Sequence, residues 1–250
     1  MGARTKKAFW CCKGIDSNCI PPPRSNTRRS SGLTSSCSRT KPCCHVFCLR
    51  KTHASTLWPL KKGVRPLRME ITTVGELLHW SYANLAMAHS AITAKAAKYG
   101  RTQFMIRARL YSGLNKQTMS IGPLADDERL KMVLPQACCY CGSREYLSVD
   151  HLIPTKRGGA NAGDNLVWAC RSCNSSKCAR DALDWLTEKG QFPPILLLRR
   201  YLKLAVEMCR ERNLMNVPIA DAPELPFSLS AIPKAYPLPS ELRLWVVEVA

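Results

Sequence analysis

Residues 138–177 read CCYCGSREYLSVDHLIPTKRGGANAGDNLVWACRSCNSSK, and this stretch decides what the chain can be. Cys138 and Cys141 form one C-x2-C pair, and Cys170 and Cys173 form a second after 28 intervening residues. Each pair can act as a knuckle that points two thiolates at one ion. Together they complete the tetrahedral four-cysteine shell that Zn2+ favours, a closed structural site with no open position for catalysis. In a chain with 14 cysteines the plain alternative is two accidental pairs or a redox motif. The turn formers Gly142 and Asn174 beside the two pairs favour zinc. Cys139 is a neighbour the shell does not need, and Cys178 and Cys209 read as ordinary thiols.

A zinc ribbon alone does not call for Asp150-His151, Gly158-Gly159, Asn165-Leu166, Asn174 and Lys177 in that order. The ordered set resembles the HNH endonucleases, in the branch where C-x2-C, Asp-His, Gly-Gly, Asn-Leu and C-x2-C-Asn-x2-Lys follow one another. The resemblance spans about residues 136–190. It departs from the family's name at one position, where Asn174 stands in place of the last His, and an amide oxygen can still ligate a hard cation.

The resemblance implies an α+β chain built on a small ββα-metal domain, stapled by the zinc site and flanked by helices. The Asp-His pair lies on the first strand of a hairpin, and the third element is a helix starting near Cys170. His151 is implied as the general base that activates water, a task that suits an imidazole near neutral pH. Asn165 is implied to orient that imidazole through its backbone or amide. Asp150 and Asn174 are implied to supply oxygen ligands to one catalytic Mg2+ or Mn2+, alongside the structural Zn2+. The expected activity is hydrolysis of DNA phosphodiester bonds. Lys177 is expected either on the phosphate or packed against the knuckle, Gly158-Gly159 in the backbone of a loop, and Trp168 and Trp185 in the core. The rival reading, from another class, is a zinc-stapled nucleic-acid-binding or adaptor module that does not cleave.

Outward from this segment the sequence reads as helical. Thr73-Val74-Gly75-Glu76 is a capping box, and the apolar or small residues Leu78, Tyr82, Leu85, Ile92 and Ala96 predict one long helix closed by Gly100. Shorter helices are expected over about 102–111, ending at Gly113, and over 127–134 behind Asp126 as cap. Residues 69–135 are thus a helical lead-in whose Lys95, Lys98, Arg101, Arg107 and Arg109 read as a solvated basic face. After the 136–190 domain, Pro193-Pro194 precede an apolar helix within 191–214, and the Pro-rich stretch 215–250 is expected to be extended or irregular.

The chain carries 37 Lys and Arg against 18 Asp and Glu. Residues 1–68 hold 15 of those basic residues and one acid, Asp16, whereas residues 136–190 carry a net charge of only +1. The basicity therefore describes an extension that is expected to be disordered, since 21–31 has nothing apolar to bury, and affinity for DNA must come from flanking helices or a partner. The abrupt change of composition suggests Met69 as the working start, with organellar targeting by 1–68 a minority reading. No apolar run approaches the roughly 18 residues of a membrane span. The need for free thiolates fits a reducing compartment, with bacterial cytoplasm or a phage-like setting as the default. Nothing in the chain sets its oligomeric state.

Overall fold

In the computed structural model the described residues are 70–245. The expectations for residues 1–68 lie outside them.

The capping box forms as read. Thr73 Oγ1 accepts from the Glu76 amide at 3.2 Å, and the Glu76 carboxylate accepts from the Thr72 and Thr73 amides at 2.8 and 3.1 Å. Helix α1, Val74–Thr93, stops well before Gly100. Lys95 turns into the left-handed region at φ 50°, and the amides of Lys95 and Ala96 return to the carbonyls of Ile92 and Ala91. That turn satisfies the last carbonyls, so the apolar spacing that continues to Ala96 is not helix. Gly100 instead sits at the N-cap of α2, Arg101–Asn115. Gly113 lies inside that helix because a Cβ there would come within 2.6 Å of the Met119 side chain. Helix α2 packs on α1 through the edge-on pair Trp80–Tyr111, 5.2 Å between ring centres. Arg107, expected on a solvated face, lies 4.8 Å over the Trp80 ring and donates to Asn84.

A third helix, α3 (Ala125–Val133), leads to two five-residue strands, β1 (Leu147–His151) and β2 (Leu166–Cys170). They pair antiparallel with Leu147 opposite Cys170 and His151 opposite Leu166. Helix α4 (Arg171–Lys177) follows β2 directly, and α5 (Ala182–Glu188) follows α4. Mixed helices around one small antiparallel sheet give the α+β class, with the hairpin and α4 forming the ββα unit.

Helix α6, Ile195–Glu211, presents one continuous apolar face and puts Leu198, Tyr201, Leu202 and Ala205 at the centre of the core. Leu77 and Leu78 of α1 and Leu152 and Ile153 after β1 fill the same core. The Pro-rich residues beyond it are irregular but packed. Leu225, Phe227, Ile232 and Leu242 are buried, and the carbonyls of Arg243 and Leu244 accept from Ile195 and Leu196, two of the orphan donors at the start of α6. Among the described residues no helix is long and apolar enough to cross a membrane.

A buried charge network fixes α3 and α6 to the hairpin. Asp127 pairs with Arg199 at 2.8 Å and Lys203 at 2.5 Å, and Glu128 pairs with Arg200 at 2.5 Å. Arg200 and Lys131 then both reach the Leu166 carbonyl at 3.3 Å, and Lys131 reaches Gly163 O at 3.1 Å.

Asp181 caps α5, accepting from the Leu183 and Asp184 amides, while Tyr201 donates to its other oxygen at 2.7 Å. Burial raises its carboxyl to about 6. The folded state therefore holds a proton that the unfolded chain, near the ordinary carboxylate value, has released. This contribution to stability grows as pH falls through about 6 and is absent above it. Asp181→Asn, which keeps the shape and the cap, is expected to be more favourable relative to wild type at pH 8 than at pH 5. Parallel thermal melts at the two pH values would show it, and an unchanged difference would contradict the burial of the charge.

Candidate active site and metal centre

The first knuckle closes through a Cys138 amide bond to Ser143 O at 2.8 Å and a Gly142 amide bond to Cys138 O at 2.9 Å. Gly142 takes φ 82°, a conformation that glycine adopts without penalty. The second knuckle is the start of α4, where Cys170 is the N-cap and its Sγ accepts from the Cys173 amide at 3.4 Å. The register of the hairpin brings the two knuckles together. The four Sγ atoms of Cys138, Cys141, Cys170 and Cys173 lie within 4.8 Å of one another, with Cys141 and Cys170 at 3.6 Å. Thiolates about 2.3 Å from a tetrahedral zinc sit roughly 3.8 Å apart, so the donor set and its spacing fit structural Zn2+. Cys139 is buried outside the cluster, as is Cys209 on α6, and Cys178 is exposed.

His151 ends β1, half-buried, with Nε2 3.0 Å from Asn161 Oδ1. With the Asn161 amide oxygen facing it, the ring matches the tautomer that donates from Nε2, in which Nδ1 keeps the lone pair. Asn165 does not touch the imidazole. Its side chain is 1% exposed and clamps the loop after His151, accepting from the Ile153 amide at 2.9 Å and donating to Ile153 O and Ala160 O, both at 2.8 Å. Its own carbonyl accepts from the Leu152 amide. The expectation that Asn165 orients the ring is thus corrected to an indirect one: it holds the loop that carries Asn161, and Asn161 holds the ring. Gly159 makes the clamp possible, since a Cβ there would lie 2.0 Å from Ile153 O.

Asp150 also lies elsewhere than expected. It is 5% exposed, with Tyr140 Oη donating to one carboxylate oxygen at 2.7 Å and Lys177 Nζ to the other at 3.1 Å. Lys177, 1% exposed, also donates to His151 O at 2.8 Å. It is therefore packed inside, and of its two expected places the inner one is occupied. Each carboxylate oxygen accepts one bond here and keeps a second lone pair, and the group is buried beside Tyr140 and Lys177. Asn174, on α4, donates to Ser148 Oγ at 3.0 Å and Val149 O at 3.3 Å. Its amide oxygen has no hydrogen bond among the described residues and is the hard donor that remains.

Residues 138–180 match the HNH endonuclease family model. This segment is an HNH domain. No curated protein and no solved structure matches the chain. Two members of the HNH site escape a reading of the sequence. Tyr140 stands inside a knuckle, where its residue type suggests only packing, and it does pack edge-on to Trp185 at 5.0 Å. Asn161 stands in Gly-Gly-Ala-Asn-Ala-Gly, which reads as a turn. Trp185 is core, at 1% exposure.

Breaking the buried pair on one side is expected to be costly. Lys177→Met leaves Asp150 charged without its cation and should lose about 3–5 kcal/mol, whereas Asp150→Asn with Lys177→Met should recover much of it. Denaturant unfolding of the zinc-loaded proteins measures both, and additive losses would mean that the pair is not coupled. Stripping zinc with a chelator should remove the fixed near-ultraviolet signal of the aromatic cluster around Tyr140 and Trp185.

Proposed function

We propose that the chain is a metal-dependent HNH endonuclease that hydrolyses phosphodiester bonds of DNA, with His151 as general base. The single observation that carries this reading is the seat of His151, half-buried at the end of β1 with its ring held at Asn161, in a segment that matches the HNH family model. With Nε2 held at Asn161, Nδ1 is the nitrogen that would take a proton from an attacking water. Asn165 and Gly159 keep the loop of Asn161 in register with β1, so the ring is oriented before substrate arrives. Lys177, bonded to the His151 carbonyl, fixes the backbone of the same residue from the other side.

The family implies a hard divalent ion, Mg2+ or Mn2+, whose chemistry is to stabilise charge on the phosphate. Asn174 would offer it an amide oxygen, and Asp150 the remaining lone pairs of a carboxylate already bonded to Tyr140 and Lys177. The engagement of Asp150 is also the observation that favours the alternative of a zinc-stapled DNA-binding or adaptor module without cleavage. Under either reading the four thiolates suit a reducing compartment.

The full chain with Mg2+ or Mn2+ is expected to convert supercoiled plasmid to open or linear forms. His151→Ala should reduce the rate about a hundred- to ten-thousandfold at unchanged zinc content. Asn161→Ala, which frees the tautomer, should cost about tenfold or more in kcat with little change in KM. Wild type and His151→Ala that are equally inert, both zinc-loaded and both bound to DNA, would remove the nuclease reading and leave the binding module.

A further inference from the structure

Outside the catalytic hairpin end, the protein holds one more feature shaped for nucleic acid. Tyr146 precedes β1 and takes φ 49°, a left-handed conformation that a bulky residue adopts rarely and at a cost. Its side chain gains nothing visible in return: it is 81% exposed, and its ring packs on no other ring among the described residues. The backbone is nonetheless held, because the Arg171 amide donates to Tyr146 O at 3.0 Å. The turn thus props a large aromatic ring upright in solvent.

Tyr146 lines an open cleft of about 530 Å³. Arg171, Ser172 and Ser175 of α4 line it as well, together with Cys170, Ser143 and Glu145. Arg171 is a bidentate donor suited to phosphate, and the hydroxyls of Ser172 and Ser175 can donate beside it. Four thiolates around Zn2+ leave a net charge of about −2 behind Cys170, which repels a phosphate from the base of the cleft but not the face of a neutral nucleobase. Arg171 would draw a phosphate to α4, away from the Glu145 carboxylate and the thiolates, and leave the base for the tyrosine. Helix α4 also carries Asn174, so the cleft and the candidate site share one helix. Tyr146 and His151 are separated by five residues of near-extended chain, about 17 Å, or roughly five nucleotide steps of a duplex strand.

We propose that this cleft is a DNA subsite in which an unpaired base stacks on the Tyr146 ring while its phosphate meets Arg171. The identity of the partner rests on the nuclease reading above. A stacked base must leave the duplex, so the substrate class that fits is DNA with an unpaired nucleotide several steps from the scissile phosphate, as in a bulge, flap or single strand, in preference to fully paired duplex.

The test measures fluorescence anisotropy of the full chain without added divalent ion, on a labelled single-stranded oligonucleotide and on the matching perfect duplex. Tyr146→Ala should weaken single-strand binding on the order of five- to a hundredfold, with a much smaller effect on the duplex, and Tyr146→Trp should restore it. Arg171→Gln should lower the salt dependence by about one phosphate contact for the single strand. Zinc content of each variant reports the fold. Equal single-strand affinity of zinc-loaded Tyr146→Ala and wild type overturns the subsite, even if plasmid cleavage with Mg2+ or Mn2+ is intact and the nuclease reading stands. Tyr146-dependent binding by a chain that cleaves nothing keeps the subsite and removes the nuclease. Absence of any DNA binding by wild type overturns the subsite as well.

Discussion

Two strands of five residues cannot hold themselves together in water, and everything chemical in this protein is mounted on such a pair. What makes the hairpin dependable is that Cys138 and Cys141 enter from the segment before β1, while Cys170 and Cys173 leave from its far end into α4. A single ion bound at that point fixes the relative placement of knuckle, strand and helix at once. The rigidity that a large core provides elsewhere would be supplied locally by metal–thiolate bonds at the four-cysteine cluster.

At the other end of the hairpin the order comes from polar groups that are almost wholly buried. Lys177 joins α4 to β1 by bonding both the Asp150 carboxylate and the His151 carbonyl, and Tyr140 ties the first knuckle to the same carboxylate. Asn165 performs the matching task for the loop, spending its whole side chain on backbone groups of Ile153 and Ala160. The imidazole of His151 is the part left half-open between these two sets of bonds. A reactive group with a fixed surround is the arrangement expected where orientation, rather than flexibility, has to be supplied.

The sequence announces some of this and conceals the rest for physical reasons. The cysteine spacing, the Asp-His pair and the capping box are local patterns, and each appears in the structure where the residues place it. The stop of α1 was harder to see because apolar spacing at Ile92 and Ala96 continues past the turn at Lys95, and periodicity carries no information about a single left-handed residue. The partners of Asp150 lie 10 and 27 residues away in sequence. Lys177 could be singled out by its place after the knuckle, yet whether it faced phosphate or core depended on the closure of the hairpin. Asn161 looked like any turn asparagine until the loop folded back on His151.

The grip of α3 and α6 on the hairpin bears on how separable the HNH segment is. Arg200 and Lys131 reach carbonyls of the turn that feeds β2, and their own charges are balanced by Glu128, outside the segment. A fragment cut at residues 136 and 190 would keep its cysteines and its histidine but lose the Arg200 and Lys131 donors to carbonyls of Gly163, Asp164 and Leu166 and the apolar cover of α6. In this chain the ββα unit is not a cassette that could be lifted out or grafted onto another carrier. Evolutionary shuffling or laboratory fusion would have to move it together with the helices that surround it.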